Sequence, residues 1–396
     1  MADVDPLMHR SSEKQNVFLW IAFSVGKSTA LVVPILPLFF FQERGYSIAY
    51  MLSVASFYVL LPVVLDVPMA LLGDRFGHKR MLVSGSLFFT MAFLAVAIDL
   101  PHAYHLYLIG IGLAASCYSG SEITYLRFLS SSSENFEATL FRATEKVYLA
   151  SVGLLIFGGM SYAYAPILPI AAQLAMLVIA IAALFLLPRD SPASRQTGAA
   201  SPRIANRIPA PTIRIHIGVI GLVVLYSGVF NAIMQVNART ISIQLFDGDA
   251  AMYAAIGVIF AIGNFFSPAG ARLLAVINAR VSKDTSLLIA GGVTATASTF
   301  LTSDLSWLVV LGFLVLCVAK GYCRPLVSAV FVSMTERSVN KAAAFSLLNV
   351  ASLCVVALIH FLLAKVFDGL QMMYLYFVVM CLVLMFASLV IRLVRP

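Results

Sequence analysis

The stretch LDVPMALLGDRFGHKRML, Leu65 to Leu82, closes one long apolar run and opens the next within the seven residues Asp74 to Arg80. Residues 48–72 precede it and residues 81–99 follow it, both long and apolar enough to cross a bilayer, which takes ~20 residues. Gly77 allows a tight reversal, and Arg75, Lys79 and Arg80 gather at the turn, as expected where a chain re-enters a membrane from the cytoplasm. The stretch therefore reads as two membrane helices joined at the cytoplasmic surface.

Working outward, the same pattern recurs along the whole chain. Of 396 residues 61% are hydrophobic and only 11% charged, far from a soluble composition. Apolar runs fall at 17–41, 48–72, 81–99, 104–127, 146–164, 166–188, 216–238, 251–275, 285–303, 306–332, 342–366 and 371–392, predicting twelve transmembrane helices and an all-α membrane protein. The Pro-, Ser- and Arg-rich segment after residue 188 reads as a linker. The expected organisation is a cytoplasmic N-terminus over 1–16, a six-helix bundle over 17–188, a linker over 189–215 and a second six-helix bundle over 216–396. Pro68, Ala70 and Arg80 match Pro268, Gly270 and Arg280 at a constant offset, as an internal repeat would give.

Charge sets the orientation. Twenty of the 26 lysines and arginines lie in segments that share one side if the N-terminus is inside, and only Arg44, Arg239 and Lys365 lie on the other. This predicts both termini in the cytoplasm of a plasma membrane, the inner membrane of a bacterium. The net charge of +8 arises from residues scattered between apolar runs, not from a basic arm or domain, so no nucleic-acid partner is expected. All five cysteines fall in predicted spans and no C-x-x-C spacing occurs, so neither a disulfide nor a metal is expected. The polar N-terminal segment lacks the short apolar core of a removable signal peptide.

Asp74-Arg75-Phe76-Gly77-His78-Lys79-Arg80 resembles the signature loop between the second and third helices of the major facilitator superfamily. Asp66-x-Pro68 and Ser119-Gly120-Ser121-Glu122 resemble motifs of a drug-exporter-like branch, and Lys341-Ala-Ala-Ala-Phe-Ser346 resembles the family's Arg-Ala-x-x-x-Ser. The resemblance implies a secondary active transporter of two six-helix bundles, with a central site exposed alternately to each side. It also implies a conformational latch at the signature loop, for which the bare reading of the residues offers a topogenic turn instead. Asp66, Asp74, Arg75, Gly77, Lys79, Arg80 and Lys341 are thus expected in the gate, where Asp74 can face the positive end of a neighbouring helix. Arg142, Glu145 and Lys146 are expected as an interfacial cluster beside them. Ala70 stands where the family has its first glycine and His78 where it has arginine, and helix four lacks its usual early arginine, so the substrate is not carried over.

Ionisable side chains inside a membrane are costly, roughly 2.5–3.5 kcal/mol on insertion scales, and they mark pathways. Lys27 lies midway along helix one, Glu122 in helix four, and Lys320 and Arg324 one turn apart in helix ten. Lys27 is either a cavity-lining lysine or the partner of Glu122. Three buried positives against one deep carboxylate point to an anionic or carboxylate-bearing substrate, with Glu122 carrying the proton; Arg324 beside Pro325 has the alternative role of tying broken-helix carbonyls. Asn231 and Gln235, also one turn apart, are candidates for substrate contact or for interhelical hydrogen bonding. His360 is a packing residue or a titrating one. Helices three, six, nine and twelve carry no internal charge, in agreement with the lipid-facing place that the resemblance implies for them.

Ser24-Val-Gly-Lys-Ser-Thr29 has the tail of a phosphate-binding loop, but Ile21 occupies the place of its first glycine and both flanks are apolar. No nucleotide or other cofactor is expected. His102 and His105, with Asp99, lack a nucleophile or metal set, so the chain is not expected to be an enzyme. The expected partners are a small solute, protons and lipid, in a monomer. Broad drug efflux and ligand sensing by a transporter-like protein are the alternatives.

Overall fold

The computed structural model describes residues 6–119, 121–130, 133–190, 217–245, 250–278, 280–335, 341–366 and 369–394. Most of the predicted linker thus lies outside the described residues. Among the described residues all regular structure is helical. Ten helical stretches are long and apolar enough to span a membrane, and Ala103–Tyr118 and Thr285–Leu301 are two shorter apolar helices. Helices pair most of their backbone polar groups internally, and this is the architecture that hydrocarbon permits.

Three predicted spans are interrupted. Helix one runs as α1 (Pro6–Gly26), a single 3-10 turn (Thr29–Leu31) and α2 (Leu36–Gln42). Helix two is α3 (Ile48–Tyr58) and α4 (Leu60–Phe76), the latter containing Pro68. Helix four is α6 (Ala103–Tyr118) and α7 (Ser121–Leu129), parted at Ser119, whose ψ of 124° leaves the helical region. Apolar composition is blind to such breaks, because the interrupted residues remain hydrophobic on average.

The other elements are α5 (His78–Ala97), α8 (Ser133–Tyr164), α9 (Leu168–Leu186), α10 (Ile217–Leu245), α11 (Ala250–Asn278), α12 (Lys283–Leu301), α13 (Ser306–Thr335), α14 (Lys341–Val366) and α15 (Leu370–Val394). Helix α8 starts thirteen residues before the predicted span at 146. The added residues are helix formers such as Ala, Leu, Glu and Arg, which continue the helix although they are too polar for hydrocarbon. Between α4 and α5 the expected turn shrinks to Gly77 alone, at φ 105°, a conformation that side-chain-bearing residues avoid.

The chain forms two units, residues 1–32 with 61–209, and residues 33–60 with 210–396. In the first unit α1 packs on α9 and α8, and α5 on α6 and α9. A Cβ at Gly26 would lie 2.5 Å from the Met176 carbonyl oxygen, so α1 meets α9 there with no room for a side chain. Trp20, Phe23, Leu82, Tyr125, Leu126 and Leu184 form its buried core. In the second unit α11 packs on α13, α13 on α12 and α12 on α15, α10 packs on α14, and the segments α2 and α3 pack on α10 and α14 respectively. Residues 33–60 therefore share their contacts with the second half of the sequence, although they belong in sequence to the first.

Candidate functional site

The interruptions of helices one and four bring two of the predicted residues together. Lys27 leaves the end of α1, where Gly26 has just closed the helix, and its Nζ lies 2.5 Å from Oε1 of Glu122. Glu122 stands in the first turn of α7, where unpaired backbone N–H groups favour a carboxylate. The two side chains are 19% and 28% exposed, so the pair is sheltered yet still reachable by solvent. The amine also lies 4.8 Å from the Tyr118 ring centroid and 5.7 Å from that of Phe23, within cation–π range.

The surroundings hold this pair in place. Tyr118 and Ser86 exchange a hydrogen bond of 3.1 Å between hydroxyls, and Ser86 donates to the Leu82 carbonyl at 2.9 Å. The carbonyl of Gly26, left open by the end of α1, accepts from Nε2 of the fully buried Gln173 at 3.3 Å. Ser28 caps the following 3-10 turn by accepting from the Ala30 N–H. None of Tyr118, Ser86, Phe23 or Gln173 was singled out in the sequence. Tyr118 had one usable signal, its place four residues before Glu122 in the uninterrupted helix that the sequence predicts.

The break in helix four touches the predicted gate as well. Ser119 donates to Oδ2 of Asp66 at 3.3 Å, while the buried Oδ1 of Asp66 has no partner. Ser121 lies 3.5 Å from Nδ1 of His78, a long contact, and Nε2 of His78 is 3.6 Å from Asp74. Ser119, Ser121 and Glu122 thus reach Asp66, His78 and Lys27 within four residues of chain. Arg75 lies over the Phe76 ring at 5.5 Å, and Arg80 is exposed.

The signature loop itself is fastened to the end of α9. Lys79 Nζ donates to the Phe185 carbonyl at 3.2 Å and to that of Leu187, and the Asp190 carboxylate accepts from the His78 backbone N–H at 2.6 Å. A cation thereby sits at the negative end of α9 and a carboxylate at the positive end of α5. That carboxylate is Asp190, whereas Asp74, expected to face a helix end, is 73% exposed with His78 as its neighbour. Tyr125 adds a bond of 2.5 Å from its hydroxyl to the Pro188 carbonyl. Arg142, Glu145 and Lys146 all lie exposed on α8.

In the second unit Lys320 is exposed on α13, and among the described residues it makes no ion pair. The side chains of Arg324 and Lys341 lie outside the described residues, although both backbones belong to helices. Asn231 and Gln235 are half-buried on α10. An apolar pocket lies among Tyr226, Phe230, Thr294, Cys323 and Cys381, and a cleft lies near Phe41, Ser47, Leu363 and Met373. Neither is lined by a predicted binding residue.

A sequence profile of the Major Facilitator Superfamily matches residues 18–283, about two thirds of the chain, and the chain belongs to that family. It is an integral, multi-pass membrane transporter and not an enzyme. In fold it is similar to a crystal structure of a mutant of the nucleoside transporter NupG, with a TM-score of 0.77 at 14% identity, covering 96% of this chain and 99% of that one. A second structure of NupG gives 0.75 at 13% identity, over 96% and 98% of the two chains. A structure described as giving insight into substrate recognition in proton dependent oligopeptide transporters gives 0.66 at 13% identity, over 96% of each chain. No curated protein matches the chain in sequence.

Proposed function

We propose that this transporter moves a small solute bearing an anionic group, by alternating access, with the Lys27–Glu122 pair as its proton-sensitive element. The observation that carries the reading is the 2.5 Å contact between these two residues at the interruptions of two helices. Interrupted helices are where membrane transporters place ligand and ion sites, since unwound backbone and helix ends supply dipoles there. Protonating Glu122 removes the charge that holds Lys27, and the freed amine then offers a donor to substrate. Because Glu122 already compensates Lys27, the positives left for the substrate are Lys320 and Arg324 on α13. Asn231 and Gln235 add neutral polar contacts from α10. The structures of NupG and the oligopeptide transporters support the fold and not a substrate.

Reconstituted protein tests this directly. Proteoliposomes with an inward proton gradient should accumulate anionic solutes from a labelled panel, and Glu122→Gln should abolish accumulation while leaving counterflow. Transport of cationic compounds only would favour the second reading, a drug exporter. One contact supports that reading: the hydrogen bond of Ser119 to Asp66 joins the two motifs that resemble the drug-exporter branch. Specific binding with no transport of any solute would make the protein a ligand sensor.

A further inference from the structure

Away from the Lys27–Glu122 pair, the second unit contains two side chains with buried, unpartnered nitrogens that the proposed transport reaction does not use. His360 on α14 is 0% exposed, and both of its ring nitrogens are buried without a hydrogen-bond partner. On α10, the buried Nη1 of Arg239 is likewise without a partner, and its guanidinium is close enough for its charge to act on the His360 ring. The two helices pack tightly, with the Cβ that Gly228 lacks falling 2.4 Å from Cβ of Val355. Arg239 and His360 are thus carried by two helices that pack on each other.

Buried polar groups in folded proteins are nearly always bonded, and an orphaned one marks a partner still to be supplied. A neutral imidazole offers one N–H and a guanidinium several, so Arg239 and His360 both have donors to offer. Among the described residues no carboxylate pairs with either. A partner that accepts hydrogen bonds from both residues would satisfy the guanidinium and one ring nitrogen, and an anion would also balance the guanidinium charge. We infer that Arg239 and His360 form a binding site for a small monovalent anion, a free halide or the carboxylate group of a solute. This does not depend on the roles given to Lys320, Arg324 or Glu122.

Thermal unfolding of the purified full chain, with sodium chloride or sodium formate replacing methanesulfonate at constant ionic strength, tests the site. A saturable rise of the unfolding midpoint is expected with at least one of the two anions. Chloride acting alone or with formate identifies a free halide, and formate acting alone identifies a carboxylate group. The rise should vanish in Arg239→Gln and in His360→Leu, and Arg239→Lys should retain it with at least ten-fold weaker apparent affinity. No rise with either anion, or the same rise in both loss variants, would overturn the inference. Should those variants fail to fold, equilibrium binding of radiolabelled chloride and formate to the wild-type protein decides: saturable binding of one supports the site, and binding of neither removes it.

Discussion

Lys27 Nζ meets Glu122 Oε1 at 2.5 Å across 95 residues of chain, each residue standing beside an interruption of its own helix. A charged hydrogen bond of this kind contributes roughly 1.5–3 kcal/mol, and removing one partner leaves the other charge uncompensated. Lys27→Gln and Glu122→Gln should each lower the unfolding midpoint, and the double variant should lose less than the two singles combined. A double-mutant cycle on detergent-purified protein measures the coupling, expected at about 0.5–3 kcal/mol. A coupling of zero would mean that the two side chains do not act on each other.

For the substrate, Lys320→Gln and Arg324→Gln should each weaken binding of an anionic solute about ten-fold or more, the equivalent of one lost charge-assisted hydrogen bond. Glu122→Gln should spare that binding. Equilibrium binding to purified variants reads both effects, and unchanged affinity in both cation variants would discard the anionic assignment.

At the signature loop, Asp190→Asn weakens a charge-assisted bond to the start of α5, and Lys79→Gln removes the cation from the end of α9. Each should cost about 0.3–1 kcal/mol through the helix-end electrostatics alone. Asp74→Asn should behave differently, because Asp74 is 73% exposed and takes part in neither fastening. Its expected effect is a slower transport rate at unchanged substrate affinity and unchanged unfolding midpoint. Initial-rate kinetics in vesicles, paired with thermal unfolding, separate the two kinds of variant, and a normal rate for Asp74→Asn would leave the loop a topogenic turn.

Orientation can be checked with single reporter cysteines in a cysteine-free background. Ser194→Cys should react with an impermeant maleimide only from the cytoplasmic side, and Ser47→Cys only from the outer side. The expectation follows from the placement of twenty of the 26 cations on one side. Reaction of Ser194→Cys from outside would reverse the topology.

Local composition alone determined that this is a helical membrane protein, because hydrocarbon accepts few other arrangements of backbone and the apolar runs have the length of a bilayer. It also picked out Lys27 and Glu122, since charges are rare enough in such runs to be conspicuous. Their pairing was one of two readings left open, and the contact itself is visible only in the tertiary structure. Hydropathy carries no trace of the interruptions at Gly26 and Ser119, nor of the Met176 carbonyl that packs beside Gly26. For the same reason Gln173, Ser86 and Tyr118 were invisible, being ordinary residues of apolar helices until folding brings them to an open carbonyl, a partner hydroxyl or an ammonium group. Asp190 tells the same story at the surface: in sequence it opens a polar linker 112 residues from His78, and only the packing of α9 beside α5 makes it the carboxylate at that helix's positive end.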